Sequence, residues 1–355
     1  MIITRTPFRI TLGGGGTDLP SYYEQNGGFL LTSAIDKYMY VAINTPFIDR
    51  LLRVKYSKSE TVVSAKELEH ELVREALKIF KIEDTLEIIS FADISDGTGM
   101  GSSGAYLVGL LNGLNEYRKR KVSAKQLAEM AFHIEAEILK KPVGKQDGYI
   151  AAHGGILCMQ IDRQGNVQTK PANIKMSTVR DLEHNLLLFY TGIQRKAEEV
   201  LRDQHQAMLK KDHEQHKAVS ESLNWIKELG FKTLKALEED RLLDFARLMD
   251  EHWQYKKKMS NKISPVAVDQ AYEEVKKHGV LGGKLLGAGG GGFLLFYAEE
   301  NHRKIEQAMA RHGMRRLDFR FDFEGSKVLL NFAHSHIEYQ HAQDRNEIEK
   351  MDWEK

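Results

Sequence analysis

Ser95 to Ala105 reads SDGTGMGSSGA, and the architecture follows from it. It lies between Leu86–Phe91 (LEIISF), rich in residues that favour strands, and the apolar run Ala105–Tyr117, which reads as a helix. Glycines allow positive φ and let a backbone approach a ligand closely. A helix N-terminus adds unpaired N–H groups and the positive end of a dipole. Strand, glycine turn and helix in this order form a cradle for phosphate oxygens, with Gly97, Thr98, Gly99, Met100, Gly101, Ser102 and Ser103 as the candidate lining. Ser102 and Ser103 are suited to capping the helix, or to offering a hydroxyl to a magnesium ion. The pattern is not the Walker form, since no Gly-Lys-Ser/Thr is present, and Ser102 stands where a dinucleotide fingerprint needs its third glycine. Tyr117–Lys121 (YRKRK) occupies the region where such a fold would place its acidic ribose ligand, which disfavours an oxidoreductase.

Upstream, the strand-like TRTPFRIT runs into Leu12–Pro20, LGGGGTDLP. Four consecutive glycines strip a patch of backbone bare, so Gly15 and Gly16 are candidates for close approach to a ligand. Arg9 precedes the patch and Asp18 follows it. Asp18 is suited either to accept hydrogen bonds from substrate hydroxyls or to start a turn. Downstream, Gly282–Phe293 (GGKLLGAGGGGF) leads into the apolar strand FLLFY, so Gly289 and Gly290 belong to a second bare patch. Between these segments lies PVGKQDGYIAAHGG from Pro142. Its Asp147 is either a helix cap or a carboxylate that orients and deprotonates an attacking hydroxyl. Glu135, twelve residues earlier, offers a hard oxygen donor for magnesium.

Elsewhere the pattern is that of an ordinary globular chain. Tyr38–Ile43 and Leu51–Tyr56 read as strands. Ser64–Glu67 has capping-box spacing before a helix to about residue 80, and Ser123–Gln126 has the same spacing before a helix that Pro142 and Gly144 end. Lys196–Trp253 reads as an antiparallel helix pair with a solvated charged face. The polar tail after Asn331 carries His334, His336 and His341 without the spacing of a metal site. Fifty-one Lys plus Arg against fifty Asp plus Glu leave a net charge of +1, so neither nucleic acid nor a membrane surface is an expected partner. The lone Cys158, flanked by apolar residues, excludes an internal disulfide framework and reads as a buried structural thiol. No segment reaches 18 uncharged apolar residues, and a cytoplasmic location is expected.

The segments TPFRITLGGGGTDLP, GTGMGSSGA, GKQDGY and LLGAGGGGF, in this order over nearly the whole chain, resemble the GHMP kinases, the family of galactokinase, homoserine kinase, mevalonate kinase and phosphomevalonate kinase. FRITLGGGGTDLPSYY and GKQDGY are most similar to the branch that acts on heptose phosphates and, more distantly, on fucose. Gly15 and Gly16 stand where galactokinase has Glu-His, which argues against galactose.

The resemblance implies an α+β fold of two domains. Residues 1–175 would form an ATP-binding domain like the second domain of ribosomal protein S5, and residues 176–355 a ferredoxin-like domain. It implies ATP and Mg2+ as cofactors and a sugar phosphate as the small-molecule partner, with a homodimer as a possible assembly. It further implies Asp147 and Arg9 as catalytic residues, Ser103 and Glu135 as magnesium ligands, and Asp18 as a substrate contact. The Glu135–Asp147 spacing is one longer than in mevalonate kinase, which leaves Glu137 as the alternative ligand. A substrate phosphate would need further cations, with Lys145, Lys256, Lys257, Lys258 and Lys262 as candidates.

Overall fold

The computed structural model describes residues 1–194, 202, 208, 213–260 and 262–332. The expectation for the polar tail with its three histidines lies outside the described residues, as does most of the first part of the expected helix pair.

Two sheets organise the chain. The first contains β1 (Ile2–Gly13), β2 (Gly28–Asn44), β3 (Leu52–Lys55), β4 (Ser59–Val62), β5 (Glu87–Ala92), β6 (Ile156–Ile161), β7 (Val167–Pro171) and a strand from the far end of the chain, Lys327–Asn331. The 17-residue β2 joins its parts: residues 28–33 pair with β6, residues 39–44 with β5, and nearly the whole strand pairs with β1. Pro7 lacks a backbone N–H, and the β1–β2 register shifts just after it, between Pro7 and Phe8. The strand Lys327–Asn331 pairs with the free edge of β1. These residues therefore belong to the first sheet, although the sequence reading put them in the second unit. An unpaired β1 edge would expose a row of backbone N–H and C=O groups.

The helices α1 (Pro20–Asn26), α2 (Glu71–Ile79), α3 (Ser102–Tyr117), α4 (Ala124–Phe132) and α5 (Gln146–His153) accompany this sheet. Ser64 caps only a single turn, Ala65–Glu67, and α2 begins at Glu71. The Glu60 carboxylate takes the N–H groups of Glu69 and His70 at 2.6 and 3.1 Å, which separates that turn from the helix. The expected capping box at Ser123 and Gln126 is present. Central α3 is buried on nearly every side, and Gly109 and Gly113 let it lie against β1 and β2. A Cβ there would come within 2.8 Å of Thr6 and Ile43 respectively.

The second sheet holds β8 (Leu186–Tyr190), β9 (Gly282–Leu285), β10 (Phe293–Tyr297) and β11 (Arg315–Leu317), in the order β11-β8-β10-β9 and antiparallel throughout. Helix α6 (Met176–Asn185) leads into β8. Then α7 (His213–Glu238), α8 (Leu242–Lys258) and α9 (Val266–Lys276) connect β8 to β9, and α10 (His302–Arg311) connects β10 to β11. Strand, helices, two strands, helix and strand in chain order, with the spatial order β11-β8-β10-β9, make the ferredoxin-like arrangement. Strand β12 is Lys327–Asn331, the last element among the described residues. Cys158 is half-buried on β6, and burial pushes its thiol up to about 11, as suits an unreactive thiol.

The two halves meet through glycines. Gly99 packs on Leu286 and Gly287, and a Cβ on Gly287 would lie 2.6 Å from the Gly99 Cα. Lys284 on β9 donates to the Leu12 carbonyl at 2.9 Å, tying the second sheet to the end of β1.

Candidate active site

The loop before α3 turns through Gly97, Gly99 and Gly101, with φ of 71°, 77° and 76°. Gly101 is the N-cap of α3, and no side chain caps that helix, so neither Ser102 nor Ser103 is spent on the capping reading. Gly97, Gly99, Gly101, Ser102 and Ser103 all line one cavity of about 180 Å³ between the two halves. Thr98 and Met100 alternate with them and point inward. Thr98 Oγ1 donates to the Ser95 carbonyl at 3.0 Å, and Met100 is fully buried, its carbonyl accepting from the Arg9 N–H.

Arg9 extends from β1 and Asp147 from the first turn of α5. Arg9 Nε donates to Asp147 Oδ1 at 2.8 Å, and another guanidinium nitrogen donates to the Gly99 carbonyl at 2.5 Å. One side chain thus joins the glycine loop to the carboxylate. Asp147 sits in the first turn but does not cap α5, whose N-cap is Lys145. Gly104 is required beside it, because a Cβ there would stand 2.7 Å from the Asp147 Cβ.

Ser103 Oγ donates to Glu135 Oε1. Glu135 is buried in the cavity wall, whereas Glu137 is exposed and bonds His133 Nδ1 at 2.7 Å. A widened helical turn, His133–Ile138, carries both, and of the two glutamates only Glu135 lines the cavity. Two hard oxygen donors side by side suit magnesium, which takes its remaining ligands from water and phosphate. No cluster of three or more His, Cys, Asp or Glu exists among the described residues to favour another metal site.

Asp18 is buried opposite the loop. Its Oδ2 accepts the Gln146 N–H at 3.0 Å, and burial raises its pKa above the usual carboxylate value. Gln146 was not foreseen; its side chain bonds the Thr11 and Thr32 hydroxyls at 2.5 and 2.7 Å, clamping α5 to β1 and β2. The first glycine run divides in function. A Cβ on Gly13 would crowd Gly230 of α7 and one on Gly14 would strike the Phe29 carbonyl, while Gly15 and Gly16 line the cavity.

The opposite wall comes from the second half. Gly287 and Ala288 line the cavity, but Gly289 and Gly290 do not. The Gly290 N–H bonds the Ile263 carbonyl at 2.8 Å and a Cβ on Gly289 would meet the same residue, so this part of the run serves a turn. Of the five candidate lysines only Lys256 lines the cavity. Lys145, adjacent to the Asp147 segment in sequence, turns away and bonds both Glu129 oxygens at 2.9 and 2.8 Å. Lys257 pairs with Asp269, and Lys258 lies over the Tyr255 ring. Two basic residues not anticipated from the sequence, His252 and Lys284, join Lys256 in this wall. Burial, then Arg9, pushes Lys256 down to about 7; burial, then Lys256 and Arg9, holds Lys284 well below its ordinary value.

A glycine loop at a helix N-terminus, facing an arginine-held carboxylate and a serine–glutamate pair, is built for phosphoryl transfer to a small molecule. Comparison with known proteins agrees. The family model for the GHMP kinases N terminal domain matches residues 64–155, and that for the GHMP kinases C terminal matches residues 233–314. The chain belongs to the GHMP kinase family, and ATP is its phosphate donor.

Among its relatives is the D-glycero-alpha-D-manno-heptose 7-phosphate kinase of Campylobacter jejuni, 26% identical over 340 residues that cover 92% of this chain and 98% of the relative. The L-fucokinase/L-fucose-1-P guanylyltransferase of Bacteroides fragilis is 25% identical over 344 residues, 83% of this chain and 34% of that longer protein. The crystal structure of a D-glycero-D-manno-heptose 1-phosphate kinase from Bacteroides thetaiotaomicron superimposes with a TM-score of 0.77 at 22% identity, covering 94% of this chain and all of that one. That likeness bears on the fold, which is the two-domain α+β arrangement expected from the sequence.

Proposed function

We propose that the protein transfers the γ-phosphoryl group of ATP to the anomeric hydroxyl of a heptose 7-phosphate, D-glycero-D-manno-heptose 7-phosphate, giving the 1,7-bisphosphate. The observation that carries this reading is the Arg9–Asp147 pair, set between the glycine loop and Asp18 in one cavity. The 7-phosphate assignment follows the full-length similarity to the Campylobacter enzyme.

The loop at 97–103 would hold the β- and γ-phosphates on backbone N–H groups. Arg9 would offset charge developing on the transferred group. Asp147 would accept the hydrogen bond of the attacking hydroxyl, then its proton as the new P–O bond forms and the bond from γ-phosphorus to the bridging oxygen of ADP breaks. Asp18 would accept hydrogen bonds from another hydroxyl and fix the sugar's orientation. Ser103 and Glu135 fit a magnesium ion, which when bound supplies charge neutralisation at the phosphates. Among the described residues no helix is long and apolar enough to cross a membrane, and we place the protein in the cytoplasm with its nucleotide.

The similarity to the fucokinase favours, as a second reading, a kinase of an unphosphorylated sugar. A panel of sugars and sugar phosphates assayed with ATP for ADP release, with the product's phosphate located by phosphorus NMR, separates the two. A heptose 7-phosphate should give the highest kcat/KM and a 1,7-bisphosphate product. Equal or better kcat/KM for an unphosphorylated sugar would remove the first reading.

A further inference from the structure

The second half of the chain contributes three buried basic side chains, and no acid of its own, to the cavity. His252 and Lys256 lie one turn apart on α8 and so share a face, and Lys284 lies beside them on β9. Lys256 Nζ donates to the Leu285 and Gly287 carbonyls at 3.1 and 2.5 Å, and Lys284 Nζ to the Leu12 carbonyl. Neither lysine has a carboxylate within ion-pair distance. His252 is only 3% exposed, and burial, then Lys284 and Lys256, hold its pKa well below the ordinary value. The nearby Arg9 is already neutralised by Asp147. Burying a cation without a counter-charge is expensive, and gathering several raises the cost. A ligand anion would supply the missing charge.

We propose that His252, Lys256 and Lys284 form an anion subsite that takes the substrate's own phosphate ester, apart from the loop that holds the nucleotide phosphates. The proposal rests on the reading of the substrate as a sugar phosphate and assigns that phosphate its place. It also gives a physical reason for selectivity. A sugar lacking the phosphate would leave the buried cations unpaired, and sites built around a polar partner reject analogues that lack it by about 10⁴-fold or more. The depressed proton affinities of the lysines are the expected state before such an anion arrives.

The test replaces each lysine by methionine, which keeps most of the volume and removes the charge. Each variant should lower the ratio of kcat/KM for sugar phosphate to that for the unphosphorylated sugar by at least about 30-fold. The affinity for a non-hydrolysable ATP analogue should stay within about threefold, and Lys284→Arg should recover part of the ratio. In a second measurement, inorganic phosphate is added at constant ionic strength to protein saturated with that analogue. It should raise the Tm of the wild type and not that of Lys256→Met or Lys284→Met. An unchanged ratio, or a fall in nucleotide affinity that accounts for the whole effect, would overturn the subsite. Should the wild type accept no sugar phosphate, the proposed function fails, and the Tm response to inorganic phosphate still decides whether the anion site exists.

Discussion

Replacing Asp147 by asparagine separates chemistry from architecture. The asparagine Oδ1 can still accept from Arg9 Nε, now 2.8 Å away, so the loop–arginine–helix linkage should survive. What disappears is a negative charge that is about one-third exposed, beside a guanidinium that is only 8% exposed. Exposed pairs contribute about 0–1 kcal/mol, and breaking fully buried ones costs about 3–5 kcal/mol. This mixed pair should fall near 1–2 kcal/mol, too little to unfold a domain of ordinary stability. The catalytic loss should be much larger, because a positioned acid–base group contributes about 10²–10⁴-fold. Steady-state ADP release should therefore show kcat down by at least about a hundredfold, with nucleotide KM nearly unchanged and circular dichroism like that of the wild type. A folded variant whose kcat stayed within about threefold of the wild type would take Asp147 out of the mechanism and leave it as a structural partner of Arg9.

The neighbouring groups allow sharper contrasts. Gly101→Val should lower kcat and weaken ATP binding together, because a Cβ at this φ of 76° would stand 3.2 Å from both Arg9 Cγ and Asp147 Cγ; unchanged values of both in a folded variant would refute that packing. Glu135→Gln should raise the magnesium concentration for half-maximal activity by about tenfold or more, while Glu137→Gln leaves it alone, and a reversed pattern in a magnesium titration would move the ligand to Glu137. Asp18→Asn should stabilise the unliganded protein at pH 7 while raising the sugar KM. The folded pKa of Asp18 lies above its ordinary 3.8, so its contribution favours folding below that value and is lost as pH rises through the folded pKa. The gain in Tm from Asp18→Asn should thus be absent below about pH 4 and of the order of a few degrees at neutral pH; a gain independent of pH would show that burial of this charge is not its cause.

How much of this was legible in the sequence depends on whether the signal was local. The strand, glycine turn and helix around Ser95–Ala105 occupy adjacent positions and each carries its own propensity, so this strand–turn–helix could be read directly. The division of labour within the glycine runs could not, since Gly14 faces Phe29 and Gly289 faces Ile263, partners far away in the chain. Proximity in sequence was misleading for Lys145: it precedes Asp147 by two residues, yet as N-cap of α5 it is turned toward Glu129, whose carboxylate also accepts from Tyr149. For the opposite wall a usable signal did exist. Phe245, Ala246, Met249, His252, Trp253 and Lys256 follow one another at helical intervals and form the buried face of α8. A histidine and a lysine that continue an apolar stripe are improbable as packing, since each costs free energy to bury without a partner. That stripe separates Lys256 from Lys257 and Lys258, which the sequence reading groups with it as candidates for a substrate phosphate. Lys284 carries the same lesson in a strand. It sits within the short GGKL of β9, all four residues buried, and its ammonium group must go wherever the fold provides an oxygen. The carbonyl of Leu12 is that oxygen, so the residue that completes the cavity wall also joins the two sheets.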